Sequence, residues 1–258
     1  MFIDTHTHLF SSSFDQDIDE VIHRAIKSGV ELFLLPNIDL DSIPLMHNLE
    51  SKYPNNCFAM MGLHPCSIDE KWEQNLKVIK ENLFSREYIA IGEIGVDLYW
   101  DKKYREEQIE AFKVQVEWAK KLEKPIVIHA RESLREIFNV LDVMDDDKLS
   151  GVFHCFSGTL EDAIKINSYN NFKLGIGGVV TYKNSNLDSI IENISLDELI
   201  LETDSPYLSP KPYRGKRNES SYLLHIAEKL ADIYNLPLSE IERTTTKTAR
   251  QLFKLPNI

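Results

Sequence analysis

The sequence predicts a (β/α)8 barrel in one domain, residues 1–258, on three observations. A short apolar run followed by an amphipathic stretch recurs along the chain. Such runs, bounded by turn residues, read as strands buried on both faces of a parallel sheet. Eight of these units in 258 residues match the roughly 250 residues of one barrel and leave no room for a second domain. The rival, an open doubly wound sheet, calls for a GxGxxG turn after its first strand; His6-Thr7-His8 stands there instead.

The expected strands cover residues 2–4, 32–35, 58–61, 88–91, 126–128, 152–153, 173–176 and 199–201. Between them lie helical patterns. Ile18, Val21, Ile22, Ala25 and Ile26 fall on one helical face, and Gly29 supplies the stop. Ile109, Phe112, Val116 and Ala119 repeat that spacing before Pro125 opens the next strand. Thr159 is placed to cap a helix starting near Leu160, because its hydroxyl can accept a free first-turn N–H. Residues 220–234 and 238–253 read as two closing helices.

Composition narrows the class. With 43% hydrophobic and 27% charged residues, the chain has the balance of an ordinary globular protein. At this length it buries enough surface to need no disulfides. Twenty-nine Lys and Arg against 41 Asp and Glu leave a net charge of −12, which argues against a whole-surface nucleic-acid binder. It leaves room for a local grip on a few phosphates. No apolar run approaches the ~20 residues of a membrane span, so no membrane partner is expected. The start, MFIDTHTH, lacks the basic region and apolar stretch of a secretion signal. Cys57, Cys66 and Cys155 form an odd, widely spaced set without a CxxC, which fits a reducing cytoplasm. No obligate protein partner is legible.

The histidines are placed unevenly. His23, His47 and His225 sit on expected helices and read as half-exposed helix residues. His6, His8, His64, His129 and His154 stand at the carboxyl ends of apolar runs, as do Glu93 and Asp204. In a barrel those positions converge on the one face where active sites are built. A lone histidine there is more often a buried, hydrogen-bonded residue than a ligand. Seven polar residues on different strands are harder to dismiss, because unpaired buried polar groups are costly and a shared cation would satisfy them. His6 and His8, two apart, point to the same side of an extended chain. Four imidazoles with Glu93 and Asp204 exceed the needs of one four-coordinate ion but suit two, with the two oxygens of Glu93 able to bridge them. Two divalent ions are therefore expected; imidazoles suit Zn, whereas carboxylates and phosphates suit Mg or Mn.

The ordered segments MFIDTHTHL, GLHP, AIGEIGVD, PIVIHAR, GVFHCFSG and LETDSPYLSP with RGKRNE resemble the TatD-type metal-dependent deoxyribonucleases, a group of amidohydrolase-like barrels. The resemblance runs from Met1 to about Phe253. It implies a (β/α)8 barrel, a divalent-metal centre and hydrolysis of DNA phosphodiester bonds. Position by position, it makes His6 and His8 ligands of a first metal, Glu93 the bridge, His129 and His154 ligands of a second, and Asp204 the last-strand aspartate. No lysine ends the fourth strand, so no carbamylated-lysine bridge is available and Glu93 must serve.

Other residues carry substrate or proton-handling expectations. Asp204 has two roles open to it, metal ligand and general base. His64, before Pro65, reads as a phosphate contact or proton donor, or as a structural turn residue. Glu202 lies two before Asp204 on the same strand face, where it can hold a ligand imidazole in its metal-binding tautomer or pair inside the barrel. Arg131 can bind a phosphate bidentately or salt-bridge the helix carrying Glu132 and Glu136. Lys211, Arg214, Lys216 and Arg217 give the 211–217 loop a charge of +4 without an acid, leaving −16 elsewhere. That loop reads as a grip on the nucleic-acid backbone. Tyr99 and Trp100 can stack on an unpaired base or pack under the next helix. The expected substrate is DNA, single-stranded or at its ends. The alternative is a small-molecule amidohydrolase or phosphoesterase using the same centre, and a non-catalytic metal scaffold is the third reading.

Overall fold

The apolar runs form eight parallel strands: β1 (Phe2–Asp4), β2 (Val30–Leu35), β3 (Cys57–Ala59), β4 (Ile91–Asp97), β5 (Ile126–Arg131), β6 (Gly151–Phe153), β7 (Phe172–Ile176) and β8 (Leu199–Leu201). The computed structural model describes residues 1–169 and 171–255. Residues 256–258 of the expected domain lie outside the described residues. The helices are α1 (Ile18–Lys27), α2 (Ser42–Lys52), α3 (Trp72–Leu83), α4 (Arg105–Leu122), α5 (Leu134–Met144), α6 (Leu160–Ser168), α7 (Leu187–Ile191), α8 (Leu223–Tyr234) and α9 (Leu238–Phe253). Each expected helical pattern is helical, and residues 220–222 add a 3-10 turn ahead of α8. Thr159 caps α6 reciprocally with Asp162.

Strands pair in the orders β1-β2-β3 and β4-β5-β6-β7-β8. Two seams join these sheets into a closed barrel. At the first, Ile89 N–H donates to Ala59 O and Met61 N–H to Ala90 O. At the second, Thr5 N–H donates to Leu201 O, Asp204 N–H to His6 O and His8 N–H to Ser205 O. Buried Asp4 reinforces this seam by accepting from Thr203 N–H (2.9 Å) and Thr203 Oγ1 (2.6 Å). Burial pushes the Asp4 carboxyl up to about 7 against the opposing hydrogen bonds from Ser220 and Thr203.

Alternation along the strands divides the core in two. Ile3, Leu32, Leu34, Met60, Val127, Val152 and Ile200 fill the barrel interior, and Ala249 and Phe253 of α9 plug its amino-terminal end. The opposite strand faces pack against the helical layer. Burying each of these large aliphatic side chains stabilises the fold by about 1.5–3 kcal/mol. The same alternation aims the site. Val127, His129 and Arg131 alternate on the inward side of β5, while His154, Glu202 and Asp204 follow Val152 and Ile200 just past the ends of β6 and β8.

The fourth strand departs from expectation. It runs from Ile91 to Asp97, so Glu93 lies within it rather than beyond a strand at 88–91. Its pairing with β5 shifts register between Ile91 and Ile94, and Gly95 adopts φ +144°. A Cβ at Gly95 would stand 2.0 Å from His129 O, so only glycine permits this close approach. The irregularity re-aims the strand and turns Glu93 towards the mouth.

Candidate metal centre

The segment after β1 carries His6 and His8 past the last ladder residue, and the seam with β8 sets them beside Asp204. His6 Nε2 and His8 Nε2 lie 3.3 Å apart. Glu93 Oε2 is 3.1 Å from the first and 3.7 Å from the second. Asp204 Oδ1 is 3.9 and 3.4 Å from the same two atoms. Ligands about 2.0–2.1 Å from a tetrahedral ion stand about 3.3–3.4 Å from one another. These spacings fit a divalent cation.

The second oxygen of Glu93 faces a different set. Oε1 lies 2.8 Å from His129 Nδ1, 3.4 Å from His64 Nε2 and 3.9 Å from His154 Nε2. One carboxylate therefore addresses two clusters of donors, compatible with two divalent ions. The two histidines that the resemblance puts on one metal both face Oε1, but at unequal range. His154 stacks on His6, with ring centroids 3.4 Å apart, and its Nε2 also lies 3.8 Å from Asp204 Oδ1. Cys155, given no role from sequence, joins His154 and Asp204 in a group of donor atoms within 4.8 Å of one another. The buried Nδ1 atoms of His6 and His8 have no hydrogen-bond partner among the described residues, whereas that of His154 is in ion-pair contact with Glu202 without the angles of a hydrogen bond.

Electrostatics follow from this crowding. Burial alone would raise the Glu93 carboxyl, but the imidazoles of His64, His6 and His154 outweigh it and hold it well below the usual range. Asp204 is lowered in the same way, burial being overcome by His8 and His154. Burial, helped by the neighbouring His154, lowers His6 and favours a neutral ring with a lone pair to offer. His129 goes the other way: burial opposes it, yet hydrogen bonds to Asp97 and Glu93 raise it to about 9.

Glu202 sits below the centre, fully buried, with Oε1 2.9 Å from His154 Nδ1. Glycine at 175 makes this possible, since a Cβ there would come within 2.4 Å of Glu202 Oε2. His64 Nδ1 accepts from Cys66 N–H at 3.0 Å, so its proton resides on Nε2, facing Glu93. That tautomer makes His64 a donor. Its pKa is lowered by burial.

Asp97 was not singled out from sequence. Its Oδ2 accepts from His129 Nε2 at 2.8 Å. The available signal was its spacing: 93, 95 and 97 alternate on one strand, so two carboxylates share a side.

The rim differs from expectation at two places. Arg131 stacks over Tyr99 (3.8 Å to the ring centre) and Trp100 (5.2 Å) instead of bridging to α5, where Arg105 already binds Glu136 at 2.9 Å. Tyr99 and Trp100 are 50% and 71% exposed, so they do not pack under the following helix. In the 211–217 loop, Arg217 is bound bidentately by Asp17 at 2.7 and 2.6 Å and also donates to Ser13 O. Three of its five N–H donors are thereby engaged within the chain. Lys211, Arg214 and Lys216 make no ion pair among the described residues, and Arg214 lies over the Tyr182 ring.

Residues 3–254 match the family described as TatD related DNase. The chain is 36% identical over 256 residues to the uncharacterized metal-dependent hydrolase YabD of Bacillus subtilis, covering 99% of this chain and 100% of that protein. Its structure is similar to that of YjjV, a TatD homolog from Escherichia coli, with a TM-score of 0.89 and 27% identity over 99% of this chain and 98% of the other. A TatD family hydrolase from Entamoeba histolytica shares the fold, with a TM-score of 0.82 and 22% identity over 97% of each chain.

Proposed function

The chain belongs to the family of TatD-related DNases and is a metal-dependent hydrolase, and from that premise we propose that it cleaves phosphodiester bonds of DNA, single-stranded or at its ends, in the cytoplasm. The observation that carries the nucleic-acid reading is the rim. A cation and two exposed aromatic rings, Arg131 with Tyr99 and Trp100, stand beside the centre, where a nucleobase can stack and a phosphate can pair. Lys211, Arg214 and Lys216 add uncompensated positive charge to a chain of net charge −12.

In this reading His6, His8, Glu93, His129, His154 and Asp204 would hold two divalent ions, and these would supply charge neutralisation at the phosphoryl oxygens and a lowered pKa of water, towards ~7. The protein's own groups do the rest. Asp204 orients the attacking water and takes its proton, using the oxygen turned from His8. His64, protonated on Nε2, donates to the leaving oxygen or a phosphate oxygen. Glu202 fixes the ring of His154 from below.

A second reading, a small-molecule amidohydrolase or phosphoesterase, is favoured by the burial of the floor. His6, His8, Glu93 and His154 are 0%, 4%, 2% and 7% exposed, so only a slender group reaches them. End-labelled single-stranded DNA, duplex DNA, RNA and a panel of amides, lactones and phosphoesters separate the two. The expected result is chelator-sensitive cleavage of the end-labelled DNA, single-stranded or at its ends. Turnover of an amide or lactone with DNA left intact would sink the nuclease reading.

The rim makes a further expectation. Arg214→Ala with Lys216→Ala raises KM and leaves kcat nearly unchanged, the signature of lost uniform binding. Each lost contact flattens the log–log salt dependence by about 0.7. Arg217→Ala leaves that slope unchanged, because its partner is Asp17. A collapse of kcat in the double variant, at unaltered KM and salt slope, would remove the loop from substrate binding.

A further inference from the structure

Asp97 touches two parts of the molecule at once. Oδ2 lies 2.8 Å from His129 Nε2, while Oδ1 accepts from the backbone N–H groups of Tyr99 (3.0 Å) and Trp100 (3.3 Å). The carboxylate is 2% exposed, and the Asp97 backbone is fixed separately by its N–H donating to Gln108 Oε1 at 2.8 Å. An ionised carboxylate only accepts hydrogen bonds. Both ring nitrogens of His129 face such an acceptor at 2.8 Å, Nε2 that of Asp97 and Nδ1 that of Glu93 Oε1, so each carries a proton in this arrangement. A cation shared with Glu93 would displace the Nδ1 proton, and Asp97 would hold the one left on Nε2. His6 and His8 face the centre through Nε2, so His129 is turned the opposite way, and Asp97 is the group that turns it.

The other oxygen does something unrelated to the ring. By gathering two successive N–H groups it folds the chain just past β4 into a tight turn, the Asx pattern. That turn presents the exposed Tyr99 and Trp100 side chains on which Arg131 is stacked. Arg131 follows His129 by two residues on the inward face of β5. The aromatic rim and the metal-facing imidazole are thus tied to one buried carboxylate from two sides.

We propose that Asp97 is a positioning residue that selects Nδ1 of His129 for a divalent ion and, through its second oxygen, anchors the Tyr99–Trp100 rim against that imidazole. The proposal rests on the two-ion reading of the centre and not on DNA as substrate. Metal titration without substrate therefore tests it separately from any nuclease assay.

The experiment titrates Zn2+ or Co2+ into the metal-free protein against a chromophoric chelator, for the wild type, Asp97→Asn, Asp97→Ala and His129→Ala. Melting curves check that each variant is folded. Asp97→Asn keeps the shape and an oxygen that can still accept from Tyr99 and Trp100, but loses the charge that fixes the tautomer. One of its two binding constants should weaken by about 10- to 100-fold, the usual loss when such an outer partner is removed. It should be the same ion that His129→Ala loses, with the other constant unchanged. Iodide quenching of the exposed Trp100 should match wild type in Asp97→Asn and rise in Asp97→Ala, where the anchor is gone. Unchanged metal constants in Asp97→Asn, or equal weakening of both ions, would overturn the positioning role. Wild-type quenching in Asp97→Ala would overturn the anchoring role.

Discussion

Glu93→Gln should leave the protein folded and hydrolytically silent. The two oxygens of Glu93 address separate sets of imidazoles, His6 and His8 on one side, His129, His64 and His154 on the other. An amide has one oxygen. Whichever way it turns, one set meets an NH2 group that cannot ligate a cation. Metal content after gel filtration should fall from two ions per chain to at most one. An ion contributes several kcal/mol to stabilising charge in the transition state, and about 4 kcal/mol corresponds to roughly 10³-fold in rate. A drop in kcat of at least that size is expected, together with a wild-type circular dichroism spectrum. Two ions retained at near wild-type kcat would remove Glu93 from the bridging position.

Asp204→Asn should act on rate more than on binding. Asp204 reaches the centre from β8 through a left-handed backbone conformation, φ 56°, which aims its carboxylate across the mouth towards His8. Asparagine preserves the size and one oxygen but accepts no proton from water. General-base contributions are worth about 10²–10⁴ in rate, so kcat should fall by that factor. The measurement is made at saturating metal, so that weaker ion binding is not mistaken for a lost base. Retention of more than about a tenth of wild-type kcat would move the proton-handling role to another group, and Glu202 is the next carboxylate along the strand.

The barrel and the clustering of these donor side chains were legible because strand alternation and strand ends carry them. Val127 and His129, or Ile200, Glu202 and Asp204, announce an inward face by spacing alone. The fourth strand was not legible in the same way. Gly92 and Gly95 interrupt its apolar pattern, and its register shift moves Glu93 out of phase with Ala90, so the even spacing of Glu93 and Asp97 is a weak signal that does not by itself reach His129. The Arg217–Asp17 pair was hidden for another reason. Its members stand 200 positions apart, and only the closed barrel brings them together. One of the four cations of the loop is therefore paired within the chain.

The seam between β1 and β8 also has a consequence for how the protein is made. Asp4 and Thr203, which it joins, are 199 positions apart, nearly the whole length of the chain. At roughly 5–20 residues per second, a ribosome releases the two partners about 10–40 seconds apart. Throughout that interval His6 and His8 are exposed without Asp204, and the tube that orients them is open along one side. The donor set of the centre is thus incomplete throughout that interval, and it closes only when the last strand pairs with the first.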